Sequence, residues 1–342
     1  MSVEGTSYRT LASCLALSAV AGCDDLPTGP AEVPAETIRA VTLADWTPGG
    51  YGTTAAADEL QALASTGASS LWIIATGYQV DATATTVVTD AGRTPTADSV
   101  RRAAEVAAGA GLDVAIKPHV DLDDGAWRGT IDPVDVAAWF DSYHDFLLPW
   151  ADLAADIGAV QFVVGTELAG TVKHEGLWRE TIRLVRARFT GQLTYAASWD
   201  EASRIGFWDA LELVGVNAYF PVANRADPSR FEILAGWQPW LDRLEILHRQ
   251  TSRDILITEI GYRSVDGAGM HPYRFDNTGT LDLQEQADLY WAALQATGEQ
   301  PWMTGLVWWN WLARGGGGAL DRDYTPSGKP AQQELQGAWR GR

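Results

Sequence analysis

Gln161-Phe162-Val163-Val164-Gly165-Thr166-Glu167-Leu168 is the stretch on which the reading of this chain turns. Its apolar run has no polar break, the pattern of a strand buried on both faces in a parallel sheet. The run then ends on a carboxylate. Burying a charge is costly, so a Glu at that tip needs a reason to be there. Ile255-Leu256-Ile257-Thr258-Glu259-Ile260-Gly261 has the same design. Two buried strands that each end in Thr-Glu aim two carboxylates at one site. One such Glu alone is equally explained by an Arg partner or a helix cap; the pair favours chemistry.

Outward from these runs, strand and helix patterns alternate. Strand-like runs stand at residues 39–46, 70–76, 113–119, 160–167, 192–199, 213–219, 255–259 and 305–309. Helical patterns occupy 58–65, 97–108, 133–156, 175–188, 231–249 and 283–296, with a last one near 331–339. Gly67, Gly109 with Gly111, Gly158 and Gly298 read as helix stops. Asp98 and Asp132-Pro133 read as helix starts. Eight strands with seven crossovers predict an α/β chain folded as a single (β/α)8 barrel over residues 38–342. An open doubly wound sheet is the alternative. No Gly-rich dinucleotide fingerprint follows the first run, and Gly315–Gly318 lacks a P-loop Lys.

The chain has 342 residues, 46% hydrophobic and 20% charged, enough for one large core. Its net charge of −19 repels phosphate backbones, so no nucleic-acid partner is expected. The 16 Trp are unusual. An indole offers a flat apolar face and one N–H donor, which suits sugar rings, although at least half should simply fill core. Residues 1–22 read as a signal peptide: Arg9, then a short apolar run from Leu11 to Val20, too short for a membrane span. Val20-Ala21-Gly22-Cys23 resembles a bacterial lipobox, which makes Cys23 the lipidation site and the mature chain an anchored protein of the cell envelope. An ordinary secretory signal is the alternative. Removal of Cys14 leaves Cys23 alone, so the mature chain can form no internal disulfide. Residues 23–37, with Pro27, Pro30 and Pro34, read as a flexible tether.

In a barrel of this kind the active site lies at the C-terminal strand ends. The eight runs end, in order, on Asp45-Trp46; Tyr78; Lys117-Pro118-His119-Val120-Asp121; Glu167; Ser198-Trp199-Asp200; Asn217-Ala218-Tyr219; Glu259 with Tyr262 and Arg263 beyond; and Trp308-Trp309-Asn310-Trp311. That mixture of aromatic, acidic and hydrogen-bonding groups suits a polyhydroxyl-binding cleft. Asp121-Leu122-Asp123-Asp124 lacks the Gly and distal Glu of a calcium loop and reads as a solvated loop. No His-x-His ends the first run, so neither a metal nor a cofactor is expected. His144, His174 and His248 fall in helical patterns and read as surface positions, while His271 lies in the loop after the seventh run.

Lys117-Pro118-His119-Val120-Asp121, Val164-Gly165-Thr166-Glu167-Leu168, Asn217-Ala218-Tyr219-Phe220-Pro221 and Thr258-Glu259-Ile260-Gly261-Tyr262-Arg263-Ser264 together resemble glycoside hydrolase family 113. The resemblance spans most of residues 39–312 and brings in the retaining hydrolases of clan A and β-1,4-mannanases. It implies Glu167 as acid/base and Glu259 as nucleophile, with carboxyls ~5–5.5 Å apart as double displacement requires. It implies a β-linked polysaccharide or oligosaccharide as partner. Separately, a monomer is expected. Thr166 stands where much of the wider clan has Asn, which leaves the sugar 2-hydroxyl to Asn217 or His119. Tyr219 is expected to hold Glu259, and Trp309 to lie under the sugar at the cleavage point. Trp308 and Trp311 are expected to pack or line neighbouring subsites. Trp46 and Trp199 are further platform candidates, and Tyr262 is placed with the substrate contacts. Lys117, His119 and Asp121 are expected to bind sugar hydroxyls, with a salt-bridged structural network as the alternative. Arg263 either contacts substrate or supports Glu259 from behind. The residues alone give only a retaining β-glycanase; alternatives are another β-glycan, exo-acting mannosidase action, or a silent glycan-binding surface protein.

Overall fold

The computed structural model describes residues 37–340, Asn277 excepted. Residues 1–36, on which the expected signal peptide, the expected lipidation site Cys23 and most of the expected tether fall, lie outside the described residues. Eight parallel strands close into a ring in sequence order: β1 (Ile38–Ala44), β2 (Ser70–Gln79), β3 (Asp113–Leu122), β4 (Gln161–Thr166), β5 (Gln192–Ser198), β6 (Val214–Asn217), β7 (Ile255–Ile260) and β8 (Met303–Leu312). β8 pairs back on β1, Ile38 against Gly305, so no strand edge is left open. This is a single (β/α)8 barrel.

Helices α1 (Thr54–Ala64), α2 (Ala97–Gly109), α3 (Val136–Asp156), α4 (Glu175–Arg186), α5 (Arg230–Thr251), α6 (Leu283–Gly298) and α7 (Pro330–Arg340) wrap the ring. The starts of α1, α2, α3, α5 and α6 follow side-chain capping, because the first N–H groups of a helix lack internal partners. The side chains of Thr53, Thr96 and Asp135 accept the early N–H groups of α1, α2 and α3. Thus α3 begins after Asp135, not at Asp132-Pro133, and α2 begins after Thr96 with Asp98 in its first turn. Ser229 and Glu232 cap α5 reciprocally.

The core has two compartments. Strand side chains pointing outward pack against the helices, with Trp139, Trp178, Trp237 and Trp291 among the largest buried groups. Inside the lower barrel, Ala40, Trp72, Ala115, Val163, Ala196, Leu256 and Val307 form a separate layer. One indole among small neighbours fills the floor, and this closes the barrel beneath the strand tips. Burial of this kind contributes ~25 cal/mol per Å² of apolar surface, and it fixes the strands that carry the polar tips.

Candidate active site

Glu259 sits near the end of β7 and is only 5% exposed. Its Oε1 meets Lys117 Nζ at 2.5 Å, and Lys117 also donates to the Thr258 carbonyl at 2.8 Å. Its Oε2 accepts from the Tyr219 hydroxyl at 2.9 Å. His119 Nε2 faces Oε1 at 3.5 Å, a close contact rather than a hydrogen bond. Burial by itself pushes the Glu259 carboxyl up, but the Lys117 ammonium and His119 pull it well below the usual carboxylate range. Burial also lowers Lys117, against the opposing pull of Glu259. Burial, with Arg128 adding to the effect, holds His119 down at about 4, so its ring is neutral at neutral pH.

Glu167 follows directly on β4 and adopts a φ of 54°, the left-handed region that a non-glycine residue rarely occupies. The turn is held from both sides. Glu167 N–H donates to the Ala196 carbonyl at 2.8 Å, and Leu168 N–H to the Tyr195 hydroxyl at 2.7 Å. Strain of this kind costs ~1–3 kcal/mol and persists where neighbours over-determine it. The carboxylate accepts from Asn217 Nδ2 at 3.0 Å on Oε1 and from Trp127 Nε1 at 3.1 Å on Oε2. Burial and then the Glu259 charge push its carboxyl up. The two carboxyls are therefore biased in opposite directions. Asn217 also ties them together, since its Oδ1 accepts from the Thr258 hydroxyl at 2.9 Å, next to Glu259.

The sequence profile of glycoside hydrolase family 113 matches residues 44–329, and so takes in every one of these groups. This chain belongs to that family. It is a glycoside hydrolase. A solved family 113 β-1,4-mannanase superposes with a TM-score of 0.83 at 26% identity, covering 90% of this chain and all of the other. The family 113 β-mannanase of Alicyclobacillus acidocaldarius, solved with ManMIm, gives 0.82 at 28% identity, covering 89% and 97%. A Faecalibacterium prausnitzii β-glucuronidase shares the fold alone, at 12% identity and a TM-score of 0.60 over 90% of this chain and 49% of its own. No curated protein matches the chain.

Several polar groups that the sequence placed against substrate serve the family 113 scaffold instead. Lys117 is fully buried under Glu259 and reaches no solvent. Asp121 is held by Arg128 at 2.5 Å. Lys117 and Asp121 are thus each held in an ion pair, with Glu259 and Arg128, while the neutral His119 ring only abuts Glu259 and its Nε2 has no hydrogen-bond partner among the described residues. Tyr262 is wholly buried with its ring edge-on to Tyr290, which removes it from the cleft. Arg263 supports neither Glu259 nor an open subsite: it donates to the Asp276 and Thr278 carbonyls and pins the loop after β7. Thr166 turns its hydroxyl to the Pro118 carbonyl at 3.0 Å. His144, His174 and His248 are half-buried; the His144 ring bonds Thr181 and the His248 ring the Arg253 carbonyl.

Among the Trp, Trp309 lies parallel to His119, centroids 5.9 Å apart at 18°. Trp308 stacks outward on Tyr290 at 3.9 Å, and Trp311 donates to Glu59 of α1 at 2.6 Å. A register shift explains why Trp309 and Trp311 part company: Val41 and Leu43 of β1 oppose Trp308 and Trp311 of β8, with one extra residue between. Trp46 stands 39% exposed on the rim, and Trp199 is half-buried, edge-on to Trp240. Trp127 and Arg128 were not visible as site residues, because they sit in an irregular loop whose partners are far off in sequence. An aromatic-basic pair after an acidic loop was the one available signal. Among the described residues no group of His, Cys, Asp or Glu is placed to hold a metal.

Proposed function

We propose that this glycoside hydrolase is a retaining endo-β-1,4-mannanase. Glu167 is the acid/base and Glu259 the nucleophile. The observation that carries the reading is one bonded frame around both carboxyls: Asn217 holds Glu167 and accepts from Thr258 beside Glu259, while Lys117 and Tyr219 hold Glu259. The opposite bias of the two carboxyls agrees with that division of roles. The two similar family 113 structures are β-mannanases, which supports the substrate class.

In the first step the protonated Glu167 gives its proton to the glycosidic oxygen. The C1–O bond breaks with its electron pair staying on that oxygen, while the Glu259 carboxylate bonds C1. Lys117 and Tyr219 keep Glu259 ionised and oriented for that attack. In the second step Glu167, now a carboxylate, takes a proton from water as the water oxygen bonds C1. The ester C1–O bond breaks and its pair returns to Glu259. Trp309, stacked beside His119, offers its face to the sugar at the cleavage point.

The test is hydrolysis of β-1,4-manno-oligosaccharides, with xylan, cellulose and mixed-linkage glucan alongside, followed by NMR of the first product. A β-configured product from mannan is expected. Glu259→Ala should lose turnover and, given azide, yield the α-glycosyl azide; Glu167→Ala should yield the β-azide from an activated substrate. An α-configured first product removes double displacement, and cleavage of xylan or glucan alone removes mannan. Binding without cleavage favours the silent glycan-binding protein.

A further inference from the structure

The loop after β3 carries an indole that neither fold nor core accounts for. Trp127 is 45% exposed, yet its N–H donates at 3.1 Å to Oε2 of Glu167. The loop around it is built to hold that ring. The Trp127 carbonyl accepts from the Thr130 hydroxyl at 2.8 Å, which tightens the turn under it. Gly129 lies against the ring, and a Cβ there would overlap the six-membered part of the indole. Arg128 ties the turn down to Asp121 of β3 at 2.5 Å. The segment that follows Glu167 is fastened to the same turn, since Gly170 N–H donates to the Gly129 carbonyl at 3.0 Å. Lys173 reaches Asp132 at 2.8 Å across the same two loops. Donor and acceptor therefore ride on one interlocked unit.

We infer that Trp127 is a positioning residue for the acid/base, its indole N–H fixing Glu167 Oε2 and keeping the carboxyl able to both give and retake a proton near neutral pH. The inference rests on the acid/base reading of Glu167. Both Glu167 oxygens accept a hydrogen bond, one from Asn217 and one from Trp127. A donor aimed at a carboxylate favours the ionised form. Without it, burial and the neighbouring Glu259 act with less opposition, and Glu167 holds its proton too tightly to serve as base in the second step. The groups that act on this carboxyl are Glu259 on β7, Arg128 on the same loop as Trp127, Asn217 on β6 and, beyond them, Lys117 on β3, Glu201 past β5 and Tyr219 past β6. Of the two hydrogen bonds to Glu167, the one from Trp127 comes from a partly exposed side chain and the one from Asn217 from a buried one.

The test is the pH dependence of kcat/KM on manno-oligosaccharides, which reports the free enzyme. Trp127→Phe keeps an aromatic face and removes the donor. It should move the alkaline limb upward by about half to one pH unit and lower kcat by about ten-fold. Gly129→Ala, which displaces the ring without altering it, should move the limb in the same direction and stands in if Trp127→Phe does not fold. Glu167→Gln, assayed at high enzyme concentration, should lose the alkaline limb. If the limb survives Glu167→Gln, the acid/base reading fails and takes this inference with it. If the limb belongs to Glu167 but stays in place in both loop variants, with only KM raised, Trp127 is a sugar platform and this inference alone is overturned.

Discussion

Lys117 is the residue on which the charge balance of the cleft turns. It is buried, it pairs with Glu259 at 2.5 Å, and the reason for its burial is its depth in the barrel. Lys117, His119 and Asp121 alternate along β3, so all three point inward at successive heights. The sequence showed that alternation and put all three at the cleft. It did not show the height, because height depends on how neighbouring strands are staggered around the ring. Glu167 and Glu259 were legible because each ends an apolar run whose period is visible locally; the Tyr219 contact with Glu259 was expected only through the family resemblance. Removing one partner of a buried ion pair leaves an uncompensated charge, at a cost of ~3–5 kcal/mol. Lys117→Met should thus cut kcat/KM by about 100-fold. The sign of the pH effect follows from the burial of Glu259. Without the ammonium its carboxyl rises, and the acidic limb of kcat/KM moves toward neutral pH. A pH–rate profile of the folded variant checks it; an unmoved acidic limb means Lys117 does not set the state of Glu259.

At the scale of elements, all eight strands and seven helices were legible from periodicity, while the starts of α2 and α3 fell on other caps than those expected. The one-turn 3-10 segments Gly50–Gly52, Arg128–Thr130, Ala202–Arg204 and Trp208–Ala210 were not, since three residues carry no period. One of them holds the turn that seats Trp127, so the part of the site that escaped the sequence sits on the part of the fold that did. The contact between the loop after β3 and the loop after β4 depends on Gly170, where a Cβ would overlap the Ile131 carbonyl. Gly170→Ala should cost ~1–3 kcal/mol of stability through that clash. It should also separate the two loops and lower kcat, by about ten-fold, more than it changes KM. Urea denaturation beside steady-state kinetics reads both; a stable variant with unchanged kcat shows that the loops do not act as one unit.

For the whole molecule, pH acts through Glu201 as well as through the cleft. Glu201 is fully buried just past β5, and neither carboxyl oxygen has a hydrogen-bond partner among the described residues. Burial pushes its carboxyl up to about 8 against the pull of the nearby Tyr195 hydroxyl, and Glu167 and Asp200 add to the rise. The unfolded chain ionises this group near an ordinary Glu value, so between about 4.5 and about 8 the folded state binds the extra proton. Stability from this group is complete below that window and is lost as pH rises through it. Glu201→Gln, which keeps the neutral shape, should leave Tm unchanged near the acidic edge and raise it by several degrees at the alkaline edge. Thermal melts across that range check the sign, and a Tm difference that does not grow with pH discards the assignment. The ring of strands also has a practical consequence for handling the enzyme. β1 starts at Ile38 at the floor of the barrel, where Arg39 donates to the Gly67 carbonyl at 3.0 Å and Trp339 at the end of α7 lies against Gly67. Both ends of the fold thus leave from the face opposite the strand tips, roughly 20 Å away along β1. A resin, a fusion partner or a vesicle joined at either end would stand behind the catalyst and leave its mouth open to a long polymer.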